Sequence, residues 1–484
     1  MLATELIELA KKVIHQQAET QTIEVKTAHE DCPKRLYDTL SSFSNQDTGG
    51  IILFGLNENK KFAVEGVYDL QDLQKQVTHQ CLQMEPPVRA VFTFAELEGK
   101  DICSAEIPGI DLAERPCYYT GRGRLKGAFI RVGDADLTMT EYELYSYEAF
   151  RKHVHDDERI IERATLDSLE ANMVEQYIFD KQKDRPRFAQ LPLGTTYEML
   201  NILRDGKPTF AAVFNFGLYP QGYFPQLGIT AIVVPGTEIG VTDEHDTRFL
   251  DNKRIEGNIK SMVAEALSFC MRNMKTRTVI DSKTGQRTDQ TEYPITALRE
   301  AILNALIHRD YSMYTEATPI QLNIFTNRIE IHSPGSLYGR MTVDQLGIAR
   351  PDLRNPALAV MAETLTEAEN RYSGIPTMRR EMKKYGLREP VFENRRNEFV
   401  VTFYNTKDEE GTIVPEDTTD MVNRILAYCK TPRTRSELTE FVGIKTFFYV
   451  QKKYLKALID QGKIKLTNPD KPRSRNQRFY SVDS

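Results

Sequence analysis

Polar residues recur every fourth position along 299–311, at Glu300, Asn304 and His308. On a helix that spacing stacks them in one slowly drifting stripe. Ile295, Leu298, Ile302 and Leu306 form an apolar stripe on roughly the opposite side. A helix with hard-ligand side chains backed by a core face suits a metal–phosphate pocket. Asn304 can offer an oxygen to Mg²⁺, with nucleotide phosphates as further ligands. Glu300 can hold a water or act as a base. An amphipathic helix with a solvated polar face is the plainer reading of the same spacing. Downstream, Ile329-Glu330-Ile331-His332 alternates like a strand and Pro334-Gly335 ends it.

The runs from Tyr293 to Phe403 carry a resemblance. They are Tyr293-Pro294, Arg299-Glu300, Asn304-Ala305, His308-Arg309-Asp310-Tyr311, Arg328-Ile329-Glu330-Ile331 and Ser333-Pro334-Gly335. Arg354-Asn355-Pro356, Ser373-Gly374-Ile375 and Gly386-Leu387-Arg388-Glu389-Pro390 follow. This order resembles the ATP-binding domain of the GHKL superfamily, in the divergent branch found behind Schlafen/AlbA-type domains. The resemblance implies ATP and Mg²⁺ as cofactors. It implies a Mg²⁺ ligand at Asn304, a polarising carboxylate at Glu300 and an adenine-lining Gly335. Further cofactor contacts fall at His308, Arg309, Ser373 and Gly374. Better-known members place an Asp before the glycine to read the adenine amino group; here Ser333 or His332 stands near that place. The phosphate loop has one glycine where the family often has two.

Earlier in the chain, Thr22-Ile23-Glu24-Val25-Lys26 alternates with period two. Leu36, Leu40 and Phe43 follow helical spacing. After Gly49-Gly50, the run Ile51–Leu56 is continuously apolar, as in a strand covered on both faces. Together with Ser44-Asn45, Phe54-Gly55, Val64-Glu65-Gly66 and Ala128–Gly133, these residues resemble a Schlafen/AlbA-type domain over 10–140. That resemblance implies nucleic-acid contact. In some Schlafen relatives three acids also cut RNA. Glu19 and Glu24 match the spacing of two, and Asn57-Glu58 stands at the third. Two divalent ions on Glu19, Glu24 and Glu58 would support an in-line phosphoryl displacement, with Lys26 neutralising developing charge. The plainer reading pairs Glu24 with Lys26 at the surface. Tyr118, Tyr119, Arg122, Arg124, Lys126 and Arg131 interleave rings and cations, as stacking on bases and pairing with phosphates require. An ordinary hairpin with a solvated face has the same text.

Phe210–Phe216 and Ile229–Val234 read as buried strands, Thr165–Arg185 and Ile255–Met274 as helices, and 280–292 as a mobile loop or hairpin. The family resemblance implies that 151–290 is an α/β link continuous with the N-terminal sheet. Residues 407–419 are acidic and breaker-rich, a linker. Beyond it a helix over 420–429, a helix capped by Thr434 and Glu437, a third over 446–461 and two wing strands predict a winged helix.

Between Lys445 and Arg478 there are ten Lys/Arg against two acids. Lys452, Lys453, Lys456, Lys463, Arg473 and Arg475 are the phosphate contacts this excess offers. A protein-interaction winged helix is the competing reading. The whole chain carries −6, which excludes a uniformly basic nucleic-acid coat but not a local patch. Its 484 residues allow several domains, and 40% hydrophobic residues fit a globular protein. Six cysteines without CxxC or zinc spacing read as reduced thiols. No membrane-length apolar run or signal pattern is present, which predicts a cytoplasmic protein.

The expected fold is therefore α+β and multidomain: a Schlafen/AlbA-like domain over 1–150, the link, a GHKL α/β sandwich over 291–406 and a winged helix over 420–484. The expected function is an ATP-binding, nucleic-acid-binding regulator, with homo-oligomerisation implied by the GHKL resemblance. A nucleotide-gated nuclease and a protein scaffold with a relic ATP pocket are the alternatives.

Overall fold

A computed structural model describes residues 1–243, 245–280, 287–366, 373–406, 425–426, 428–442, 455, 458–459, 463–467 and 477–481. The chain is α+β and divides into two units, 1–407 and 408–484. Among the described residues no helix is long and apolar enough to cross a membrane. All six cysteines are free.

The first unit opens with helix α1 (Ala3–Gln16), strand β1 (Ile23–Lys26), helix α2 (Tyr37–Ser44) and strand β2 (Gly50–Phe54). Two antiparallel strands, β3 (Val91–Leu97) and β4 (Lys100–Ile107), complete a sheet in the order β1-β2-β4-β3. β1 and β2 run parallel, with Val25 opposite Leu53. Alternation along β2 explains its apolar run. Ile52 and Phe54 join a core with Leu40 and Phe43, while Leu53 joins another with Leu6 and Val13. Helices therefore cover both faces. A hairpin, β5 (Phe129–Val132) with β6 (Ala135–Thr138), packs on α2. Helix α4 (Glu141–Lys152) follows, begun by a Thr140–Glu143 capping box; α3 (Leu70–Leu82) lies earlier.

Two expectations need correction here. Phe210–Phe216 is not a strand but a fully buried helix, α5. A short apolar run does not distinguish the two. Thr209 decides, because its hydroxyl accepts the Ala212 amide at 3.1 Å and caps the turn. Nor does the linking region extend the N-terminal sheet. Its strands β7 (Ile229–Val233) and β8 (Asp251–Ile255) belong to a six-stranded sheet with β9 (Ile320–Ile324), β10 (Arg328–Pro334), β11 (Val391–Arg395) and β12 (Glu398–Tyr404). The order is β8-β7-β9-β10-β12-β11, with only β7 and β9 parallel. Helices α6 (Ile259–Asn273), α7 (Ile295–His308), α8 (Pro356–Thr366) and α9 (Gly374–Lys384) share its core. That core runs from Ile161 to Phe403, so 151–290 and 291–406 fold as one body. Residues 276–280 and 287–291 form a hairpin.

In the second unit, helix α10 (Arg435–Val442) begins at the Thr434–Glu437 capping pair. Strands β13 (Ile464–Leu466) and β14 (Arg478–Ser481) pair antiparallel. Leu438, Leu455, Ile464 and Phe479 lie in its core.

Candidate functional site

The polar stripe of α7 faces a cavity of about 180 Å³. Glu300, Asn304 and His308 all line it, together with Ser333, Gly335 and Gly374. The apolar stripe of α7 is buried against the sheet, with Leu298, Ile302 and Leu306 almost fully covered. Helix α9 begins over the stripe. A Cβ at Gly374 would fall 3.0 Å from Asn304 Nδ2 and 3.1 Å from Glu300 Oε2. Glycine therefore lets the first turn of α9 approach without crowding those groups. The approach also puts the positive end of α9 beside the Glu300 carboxylate. The Asn304 side chain makes no protein hydrogen bond among the described residues, and its half-buried amide faces the cavity. Ser373 lines the same cavity.

Gly335 closes the other side. Its φ of +99° is left-handed backbone that glycine favours, and a Cβ there would lie 2.6 Å from Asp310 Cβ and 2.8 Å from Arg354 Nη1. Strand alternation settles the choice between its two neighbours. Ser333 turns inward, lines the cavity and donates to Ala305 O at 3.1 Å. His332 faces the opposite side of the sheet, 3.0 Å from Glu330 and 3.2 Å from Glu398.

His308 lines the cavity and is exposed to it. Desolvation, then the Arg354 charge, push its pKa down to about 4, so the imidazole is neutral near pH 7.

Arg309 is a correction. Its guanidinium turns away from the cavity and donates to Thr318 O at 2.8 Å and Thr315 O at 3.2 Å. It is 2% exposed, lies over the Tyr311 ring and holds the 311–318 loop rather than a ligand. The adjacent residues carry the signal instead. Asp310 pairs with Arg354, whose Nη2 donates to Ser336 O at 2.8 Å beside Gly335. Burial alone would raise the Asp310 carboxyl, but Arg354 and Ser312 hold it below the ordinary carboxylate range. Asn355 Nδ2 donates to Ile307 O and Arg309 O, both at 2.8 Å, and so covers the last carbonyls of α7. The two runs His308–Tyr311 and Arg354–Pro356 are thus one lock. Each is visible in the sequence, but their partnership spans 44 residues.

The second constellation lies in the N-terminal sheet. Glu24 on β1 pairs with Lys26 and with Arg131 on β5, the latter at 2.6 Å. Arg131 also reaches Asp136 at 3.0 Å and Glu19 at 3.9 Å. Asp136 accepts from Thr39 at 2.8 Å and Ser42 at 2.6 Å. Two expectations change. Arg131 has a side chain only 1% exposed and enclosed by carboxylates, so it is not a phosphate contact. Arg124 and Arg122 stay partly exposed, Arg124 bonded to Glu148 at 3.2 Å and Leu144 O at 3.1 Å and Arg122 lying 3.6 Å from Asp38. Finally, Glu19, Glu24 and Glu58 form no metal-binding group among the described residues. Lys26 and Arg131 supply cations to Glu24.

Glu19 accepts the Val25 amide at 2.7 Å. Burial first, and the Glu24 and Glu58 charges as well, push its pKa up to about 7 despite that amide and Lys26. The folded chain therefore holds this proton more tightly than the unfolded chain. The resulting stability is full below about 4.5 and is lost as pH rises through about 7. Glu19→Gln is expected to flatten the fall in urea midpoint across that window. A wild-type pH slope in the variant would remove Glu19 as the titrating group.

In the second unit Lys463 is exposed. Lys452, Lys453, Lys456, Arg473 and Arg475 lie outside the described residues.

Comparison with known proteins agrees with this division of the chain. The profile "Schlafen, AlbA_2" matches residues 19–140. The profile "Putative ATP-dependent DNA helicase recG C-terminal", HATPase_c_4, matches 317–403. The chain carries a Schlafen/AlbA_2 domain and a HATPase_c_4 domain. Residues 420–480 match "Filamentation induced by cAMP protein Fic-like, C-terminal domain". Among solved structures, the DIP2311 protein from Corynebacterium diphtheriae is 19% identical, with 94% of this chain and 93% of that chain covered at a TM-score of 0.39. The N-terminal domain of a "Putative ATP-dependent DNA Helicase RecG-related Protein" from Nitrosomonas europaea is 26% identical. It covers 29% of this chain and 94% of that chain at a TM-score of 0.23. No curated protein gives a significant match. The HATPase_c_4 match begins after α7, so the helix carrying Glu300 and Asn304 lies outside it.

Proposed function

We propose that the protein is a nucleic-acid-binding regulator whose engagement of nucleic acid is set by ATP bound between α7 and α9. The carrying observation is the Asn304 amide, unpartnered among the described residues, at the meeting point of Glu300 and Gly374. An amide oxygen is a ligand that Mg²⁺ accepts alongside phosphate oxygens and water. Asn304 would hold the ion, and the first turn of α9 would meet the phosphates. Gly335 and Ser333 would border the base. Bound Mg²⁺ would supply charge neutralisation on the phosphates. Glu300 stands where it can orient a water, and a neutral His308 can donate one hydrogen bond or accept one.

The Schlafen/AlbA_2 domain and the basic C-terminal unit supply the nucleic-acid side of the reading. Binding is favoured over cleavage because the Glu19–Glu24–Glu58 group already carries its own cations. Purified protein titrated with Mg·ATP by calorimetry, and with labelled tRNA, single-stranded and duplex DNA with and without ATP, tests the proposal. It fails if ATP does not bind, or if ATP leaves every nucleic-acid affinity unchanged.

Replacing Lys452, Lys456 and Arg475 together in the intact chain is expected to weaken binding similarly for all sequences. The slope of log affinity against log salt should fall by about one unit for each phosphate that no longer meets a cation. An unchanged affinity would assign binding to the Schlafen/AlbA_2 domain alone.

A further inference from the structure

Helix α4 follows the matched Schlafen/AlbA_2 segment directly and touches both halves of the first unit with different faces. At 3.6 residues per turn, Tyr142, Tyr145 and Ala149 share one side, and Leu144, Tyr147 and Glu148 the other. The second side belongs to the N-terminal domain. Leu144 packs with Ala128 and Met139, and Arg124 bonds both Glu148 and the Leu144 carbonyl. The first side packs on residues behind the cavity, Asp310 and Tyr314. Tyr142 Oη donates to Asp310 Oδ2 at 2.7 Å. The Tyr142 and Tyr145 rings pack on Tyr314 at 5.8 and 5.4 Å. Between the two sides, Glu143 accepts from Arg396 Nε and Nη2, each at 2.9 Å.

The bond at Asp310 matters because of what Asp310 holds. Its carboxylate pairs with Arg354, and Arg354 Nη1 lies 2.8 Å from where a Cβ on Gly335 would be. Arg354 lines the cavity beside Gly335, so a base seated there would lie against its guanidinium. The connection runs Gly335, Arg354, Asp310, Tyr142, all within hydrogen-bonding or van der Waals reach. A second cavity of about 210 Å³ lies at the same junction, between Phe150, Arg151 and His153 on one side and Tyr338, Arg340 and Asp352 on the other.

We propose that α4 is the element that couples nucleotide occupancy to the Schlafen/AlbA_2 domain, with Tyr142 as its positioning residue at the nucleotide cavity. This rests on the ATP-binding reading above. A nucleotide that shifts Arg354 changes the Asp310–Tyr142 bond. The helix carries the change, as a rigid rod, to the Arg124 and Leu144 contacts on its far side. Coupling of this kind is reciprocal: nucleic acid that moves the far side changes ATP affinity by the same factor.

The test is amide hydrogen exchange of the intact chain with and without Mg·ATP, after ATP binding has been measured by calorimetry. In the wild type, residues 141–152 are expected to exchange several-fold more slowly with ATP. Tyr142→Phe keeps the ring and removes only the hydroxyl. It is expected to bind ATP within about threefold of wild type, yet to lose the ATP-dependent change at 144–152. It is also expected to lose the effect of ATP on the affinity for labelled single-stranded DNA, duplex DNA or tRNA. In the wild type that factor should lie in the roughly 5–150-fold range of allosteric couplings. ATP binding with unchanged exchange over 141–152 overturns the inference alone, and needs no variant. Retention of the change in Tyr142→Phe overturns it too. Absence of ATP binding overturns the proposed function and this inference with it.

Discussion

Arg131→Met is expected to destabilise the protein by about 3–5 kcal/mol, because breaking a buried ion pair leaves an uncompensated charge. Arg131 is the common cation of Glu24 and Asp136, at 2.6 and 3.0 Å, and its guanidinium lies 5.3 Å from the Phe43 ring centroid. Glu24 stands on β1, Asp136 on β6 and Arg131 itself on β5, so one side chain ties the parallel edge of the sheet to the hairpin. Methionine would restore much of the volume and none of the charge. Lys26 would still pair Glu24, and Thr39 and Ser42 would still bond Asp136. These residual partners place the loss nearer the lower end of the range. Urea unfolding at neutral pH measures it. Arg131→Lys should recover only part, since an ammonium cannot reproduce the planar fork that serves two carboxylates. A variant with an unchanged urea midpoint and weakened nucleic-acid binding would return Arg131 to the phosphate-contacting role its exposed-looking sequence context suggests.

That residue shows where sequence reading stops. The text Tyr118–Arg131 has the composition of a nucleic-acid surface, but composition does not say which way an alternating strand turns. Arg131 points into the fold because Phe129 and Arg131 share the buried face of β5. The acids that receive Arg131 are a strand and a hairpin away. The α7 stripe was legible for the opposite reason. A four-residue repeat of polar groups against an apolar stripe is a local pattern, and local geometry alone puts Glu300, Asn304 and His308 on one face. Arg309, the next residue, has no such guide; it stands past the last turn, where one residue's rotation exchanges cavity for core. The membership of Ile229–Val233 in the nucleotide-domain sheet is likewise non-local. It depends on parallel pairing with Ile320–Ile324, about 90 residues away in sequence. Phe210–Phe216 failed as a strand because all seven residues are buried, and total burial erases the period that separates helix from strand.

Asn304→Ala is expected to reduce Mg·ATP affinity by roughly 10–150-fold while leaving the fold intact. The magnitude follows from about 1.5–3 kcal/mol for an interaction with a charged group, at 1.4 kcal/mol per tenfold. The fold should tolerate the change because the amide supports no protein hydrogen bond among the described residues. Removing it leaves no donor or acceptor stranded, in contrast to Asn355, whose amide covers two carbonyls of α7. Asn355→Ala should therefore lower the melting temperature, and Asn304→Ala should not. Glu300→Gln provides the complementary case: it keeps the size and polarity beside Gly374, so ATP should still bind. Any hydrolysis should slow, because the amide no longer accepts a proton from water. Calorimetry with Mg·ATP and a melting curve on each variant separate the cases. Wild-type affinity in Asn304→Ala would move the metal away from α7. A lowered melting temperature there would make Asn304 a support of the α7–α9 contact rather than a ligand.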